Sequence, residues 1–132
     1  MNPIERKHKE ELIGSALVGA ALKVHKTLGP GLLERIYEAC LAYELEQAGL
    51  KVDRQIFLPV VYDDMKFDEG YRVDLLIEDL VLVELKSAEI AHPVWSSQVL
   101  TYLRLSELKL GYLINFNVGL IKDGIHRYRI WK

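Results

Sequence analysis

Two acids and a lysine interrupt the most apolar part of the sequence: Asp74 lies in residues 71–77, and Glu84 and Lys86 lie in residues 81–86. Both runs have strand length and flank the polar break Glu78-Asp79-Leu80, which reads as a hairpin with a three-residue loop. Counting outward from an Ile77–Val81 pair sets Asp74 directly opposite Glu84. Facing side chains of an antiparallel pair have Cβ atoms about 5 Å apart, and like charges there destabilise a sheet unless something compensates. A divalent cation compensates. Magnesium needs one or two carboxylates, with a carbonyl and waters, so Asp74, Glu84 and the backbone carbonyl of Leu85 form a candidate ligand set. Such an ion activates water and neutralises the charge that builds on a phosphate, which is what phosphodiester hydrolysis requires. Lys86 shares the face of Glu84 and could orient the water or stabilise the developing anion. On spacing alone, a salt bridge from Lys86 to Asp74 or Glu84 reads equally well.

These residues need a sheet and helices to hold them. Alternation puts Val73, Leu75, Ile77, Val81, Val83 and Leu85 on one face of the hairpin and Asp74, Leu76, Leu82, Glu84 and Lys86 on the other. Upstream, Ile13, Leu17, Ala20, Val24 and Leu28 recur at helical spacing, which predicts a helix over residues 10–28 stopped by Gly29-Pro30-Gly31. A second helix is expected from Leu32 to about Ala48, with Leu33, Ile36, Tyr37, Cys40, Leu41 and Leu45 facing inward. Residues 52–62 and 66–70 read as strands around Asp63-Asp64, leading into the central pair. His92-Pro93 opens a third helix to about Ser106, and residues 111–116 are a strand. Leu120-Ile121 and residues 125–130 read as a closing hairpin around Asp123-Gly124. A helix between the third and fourth strands permits a parallel crossover, hence a mixed sheet with helices on both faces.

With 132 residues, half of them hydrophobic, the chain can bury one sizeable core. No linker, repeat, low-complexity tract or membrane-length apolar run divides it. Residues 1–9 carry charges with no apolar stretch after them, so no secretory signal is expected, and the single cysteine, Cys40, favours a reducing, cytoplasmic setting. On the inward helix face Cys40 reads as an inert buried thiol. Trp95, Tyr112 and Phe116 read as core. A net charge of −2 argues against a non-specific nucleic-acid coater but leaves room for an acidic metal site with a basic rim. Zinc-ligand spacing is absent, and Gly29-Pro30-Gly31 lacks the Lys-Ser/Thr of a P-loop.

Asp74, followed on the next strand by Glu84-Leu85-Lys86, resembles the acid and Glu-x-Lys signature of the PD-(D/E)XK nuclease superfamily, with Val73 in place of the usual proline. Residues 24–38 resemble the defining motif of the small GxxExxY proteins, met by Gly31, Glu34 and Tyr37. The likeness continues through residues 70–74, 98–102 and 113–117, so it covers nearly the whole chain. It implies an α/β fold with a restriction-endonuclease-like three-layer α/β/α core and a central mixed β-sheet, as one domain over residues 1–132. It also implies a nuclease site dependent on Mg²⁺ (or Mn²⁺) and acting on nucleic acid, with DNA the expected polymer and a homodimer compatible with the superfamily. Members often add a glutamate from the first core helix. Glu34 and Glu38 share one helix face, and Glu34 is preferred because it occupies the pattern's position. An acid in a first helical turn is, however, favoured by the helix dipole in any protein. Gln98 and Tyr102, one turn apart, resemble a motif of the exonuclease-like branch, in which the glutamine contacts phosphate or places Lys86. The plain alternative is a surface amide beside a half-buried ring. His25 and Arg72 are further candidates for nucleic-acid contact, against simpler readings as a polar helix edge and a salt bridge to Asp74. Two functions of other classes stay open: a binding module that keeps the fold without chemistry, and a structural protomer.

Overall fold

The first helix begins where its cap begins and not where its apolar stripe does. In the computed structural model, which describes residues 1–131, the Asn2 side chain accepts the Glu5 N–H at 2.8 Å and Pro3 follows in the first turn, so α1 spans Pro3–Leu28. The expected start at Glu10 is therefore corrected. Lys132, part of the expected single domain, lies outside the described residues. Helix α2 spans Glu34–Gln47 and buries Tyr37, Glu38, Leu41, Ala42 and Leu45. Three residues expected on that face are not buried: Leu33 is the exposed residue preceding the helix, Ile36 is exposed, and Cys40 is half-buried at the stripe's edge.

Strand β1 (Val52–Tyr62) turns through Asp63, at φ 51°, into β2 (Met65–Ile77). Residues 66–70 and 71–77, read as separate runs, are one strand of 13 residues. Then follow β3 (Val81–Lys86), α3 (Val94–Leu105), β4 (Leu110–Asn115), a 3₁₀ turn (Ile121–Asp123) and β5 (Ile125–Arg129). The expected closing hairpin is absent. Gly124 has φ −99°, not the left-handed geometry of a two-residue hairpin turn, and residues 125–129 instead run antiparallel along β4.

The sheet has the order β1-β2-β3-β4-β5, and only the β3–β4 pair, joined through α3, is parallel. Helices α1 and α2 pack on one side against Leu75, Ile77, Val81, Val83, Leu85 and Ile114. On the other side α3 contributes Val99 and Leu103 to a smaller cluster with Val73, Leu76, Leu82 and Leu113. This is the expected three-layer α/β/α core around a mixed sheet. Tyr112 and Phe116 are core, whereas Trp95 only borders the second cluster. Among the described residues no helix is long and apolar enough to cross a membrane.

Candidate active site

One break in the sheet builds the site. Val73 packs with the α3 cluster but Leu75, two residues on, packs under α1 and α2, so the strict alternation expected along β2 fails at Asp74. Strand β1 switches in step, with Val52 against the α1/α2 cluster and Ile56 and Leu58 against the other. The register sets Gln55 across from Asp74, between the Arg54–Leu75 and Ile56–Val73 pairs, and Gln55 has a left-handed backbone at φ 51°. A residue so turned reverses which side its neighbours face. Polar side chains occupy the crossover.

On the other flank β2 and β3 separate. Their ladder holds as predicted at Ile77–Val81, Leu76–Leu82 and Leu75–Val83, then stops one pair short of Asp74 and Glu84. Carboxylates replace it: the Asp74 N–H donates to Glu84 Oε1 at 3.2 Å, and the Leu85 N–H donates to Asp74 Oδ2 at 2.7 Å. Strand β3 runs on to Lys86, still paired with β4 at Glu84, Leu85 and Lys86. Burial, and then the neighbouring Asp74 carboxylate, push the Glu84 carboxyl up to about 8, against the pull of the Asp74 N–H and Lys86. Among the described residues neither acid forms a salt bridge to arginine or lysine.

Around this pair the structure gathers most of the expected residues. Glu34 opens α2 and accepts the Ser87 N–H at 3.3 Å, and its charge adds to that felt by Glu84. Gly31, at φ 100°, and Tyr37 set the approach to it. The buried Tyr37 stacks on Phe116 at 4.4 Å, donates its hydroxyl to the Gly29 carbonyl at 2.5 Å and accepts the Leu32 N–H. Glu38 is tied off: Arg54 donates to it from two nitrogens at 3.0 and 3.1 Å, and Gln55 bonds its other oxygen. Lys86 makes no salt bridge among the described residues, and its ammonium lies over the Trp95 ring, 5.4 Å from the centroid. On α3, Gln98 donates to the Tyr102 hydroxyl at 2.7 Å, and the Tyr102 ring stacks on Tyr71. Burial and then Glu84 raise the Tyr102 phenol above its usual range, so α3 does bring this pair toward the acids.

Arg72 lines a hollow of about 330 Å³ with Glu34, Asp74 and Leu85 and makes no salt bridge to Asp74. His25 is engaged elsewhere. Its Nε2 lies 2.8 Å from the Val118 carbonyl, which requires that nitrogen to carry the proton. Two residues of the hollow escaped the sequence reading, Arg35 and Gln55. Arg54 carried a signal, a cation in the inward phase of a strand that needs a buried anion such as Glu38. Gln55 carried none.

The family model for these nucleases matches residues 11–128. The chain belongs to the PD-(D/E)XK nuclease superfamily. No curated protein and no solved structure matches it significantly. The matched residues include Asp74, Glu84 and Lys86, and it is the carboxylates of the two acids that bridge the parted strands. Its members use divalent metals, and the donor set here fits one. Among the described residues no three His, Cys, Asp or Glu side chains lie close enough together to hold a metal ion. Magnesium does not need three. Asp74 and Glu84 are adjacent carboxyl groups, the second pushed up to about 8 by burial and by the first, and Glu84 Oε2 has no hydrogen bond among the described residues.

Proposed function

We propose that this member of the PD-(D/E)XK superfamily is a nuclease that hydrolyses phosphodiester bonds, with DNA as its polymer and residues 1–132 as one catalytic domain. The observation that carries this is the Asp74–Glu84 contact, where two carboxyl groups close a gap between strands at a cost that a cation in place of a proton would relieve. Asp74, Glu84 and the Leu85 carbonyl would hold Mg²⁺ or Mn²⁺, with Glu34 reached through water. When bound, that ion supplies a Lewis acid for the phosphate and lowers the pKa of water. Lys86 leaves the Trp95 ring to orient the attacking water and to stabilise the pentavalent phosphate. Gln98 holds the nearest phosphate oxygen or places Lys86, with Tyr102 keeping its amide in position. Arg72 and Arg35, at the rim of the hollow, neutralise flanking phosphates.

Incubation of wild type, Asp74→Asn, Glu84→Gln and Lys86→Met with single- and double-stranded DNA in Mg²⁺ or Mn²⁺ tests the proposal. Cleavage by wild type, lost on chelation and reduced by about 10²-fold or more in each variant, is expected. Equal behaviour of all four removes the catalytic assignment. A non-catalytic binding module is favoured by one observation, the resting place of Lys86 over the Trp95 ring without a salt bridge to either acid. Chelator-insensitive DNA binding without cleavage under any metal selects that second reading.

A further inference from the structure

Gln55 combines two features that a strand residue rarely combines. Its backbone is left-handed, at φ 51°, inside β1, where any residue other than glycine is strained. Its side-chain nitrogen donates both to Asp74 Oδ1, at 3.1 Å, and to Glu38 Oε1. An ionised carboxylate only accepts, so the amide nitrogen with its two N–H groups is the end that must face both acids. Glu38 is buried and gripped from its other oxygen by Arg54, which gives that nitrogen a fixed anchor. Asp74 Oδ2 is already held by the Leu85 N–H. The Gln55 bond fixes the second oxygen and removes the carboxylate's remaining rotation.

Resting on the metal site proposed above, we infer that Gln55 is the positioning residue for Asp74: its strained backbone sets one neutral double donor between two carboxylates, so that Asp74 meets a divalent cation in a single orientation. Partners that orient a ligand carboxylate are commonly worth about 10–100-fold in metal affinity. A purely structural clasp between α2 and β1 does not need Gln55, because the Arg54–Glu38 ion pair already supplies it. The two roles separate on substitution. Glycine at position 55 relieves the backbone and deletes the donor, whereas leucine keeps the strain and deletes the donor.

Calorimetric titration of the full chain with Mn²⁺ alone, beside thermal melting without metal, decides between them. Gln55→Gly is expected to melt at or above the wild-type temperature and yet to bind Mn²⁺ about 10–100-fold more weakly. Gln55→Leu is expected to bind as weakly and to melt lower, and excess metal is expected to restore DNA cleavage in both. Wild-type Mn²⁺ affinity in both Gln55 variants, with binding lost in Asp74→Asn, overturns the role of Gln55 and leaves the metal site standing. Unchanged Mn²⁺ binding in Asp74→Asn overturns the metal site and this inference together.

Discussion

At the scale of single residues, Glu84 sets how the protein responds to pH. Its folded pKa of about 8 lies above the ordinary 4.5, because burial and Asp74 disfavour the charged form. The folded state therefore holds the proton more tightly than the unfolded chain does. That stabilising contribution is complete below about 4.5 and is lost as pH rises through about 8. Without metal, wild type is expected to lose stability across this window, on the order of a few kcal/mol in all, whereas Glu84→Gln stays flat and is the more stable protein at pH 9. Urea unfolding at pH 5, 7 and 9 measures this, and parallel curves for the two proteins would refute it. Metal acts with the opposite sign. Binding displaces the proton, so Mn²⁺ affinity should rise with pH and level off above about 8.

At the scale of elements, what matters is how the end of β3 is held once β2 has left it. Asn115, buried at the end of β4, donates to the Ala88 carbonyl at 3.0 Å and accepts the N–H groups of Ala88 and Asn117, while the Phe116 N–H donates to the Lys86 carbonyl at 2.9 Å. Asn115→Ala leaves those groups unpaired, which should cost about 1–3 kcal/mol. Because the lost bonds hold Ala88, two residues beyond Lys86, and not the acids, turnover should fall with Mn²⁺ affinity unchanged. Kinetics and calorimetry on one preparation measure both, and a parallel loss of metal binding would contradict this division. The β2–β3 hairpin was legible in the sequence because its loop and alternating pattern lie within about a dozen residues. The switch of faces at Gln55 and Asp74 was not, since it arises from one backbone angle that no spacing records. The place of Glu34, at the start of the second helix and near Glu84, follows the turn that Gly29-Pro30-Gly31 marks in the sequence. The Arg54–Glu38–Gln55 chain needed the register of two strands and the seat of a helix.

At the scale of the whole molecule, the early start of α1 reflects a polar tie and not an apolar one. Glu10, 1 % exposed, accepts from Arg129 of β5 at 2.8 Å and from Arg6 at 3.1 Å, and Arg6 also reaches the Glu107 carbonyl. The Glu10–Arg129 and Arg6–Glu107 partners lie more than a hundred residues apart in the chain, so local periodicity could not reveal those two contacts. Glu10→Ala leaves the largely buried Arg129 guanidinium with Glu11 as its one acidic partner among the described residues and should destabilise the fold by about 1–3 kcal/mol, read as a lowered denaturation midpoint. The same substitution leaves the acidic centre untouched, so residual folded protein should bind Mn²⁺ as before. The chain's two tryptophans also divide between the two ends, each under a cation: Trp131 by Lys7 and Arg129, and Trp95 by Lys86. With Trp131 replaced by phenylalanine, the fluorescence of the remaining indole becomes an optical gauge of where the Lys86 ammonium is. Its emission should shift when a non-cleavable oligonucleotide draws that charge away, and Lys86→Met should abolish the shift.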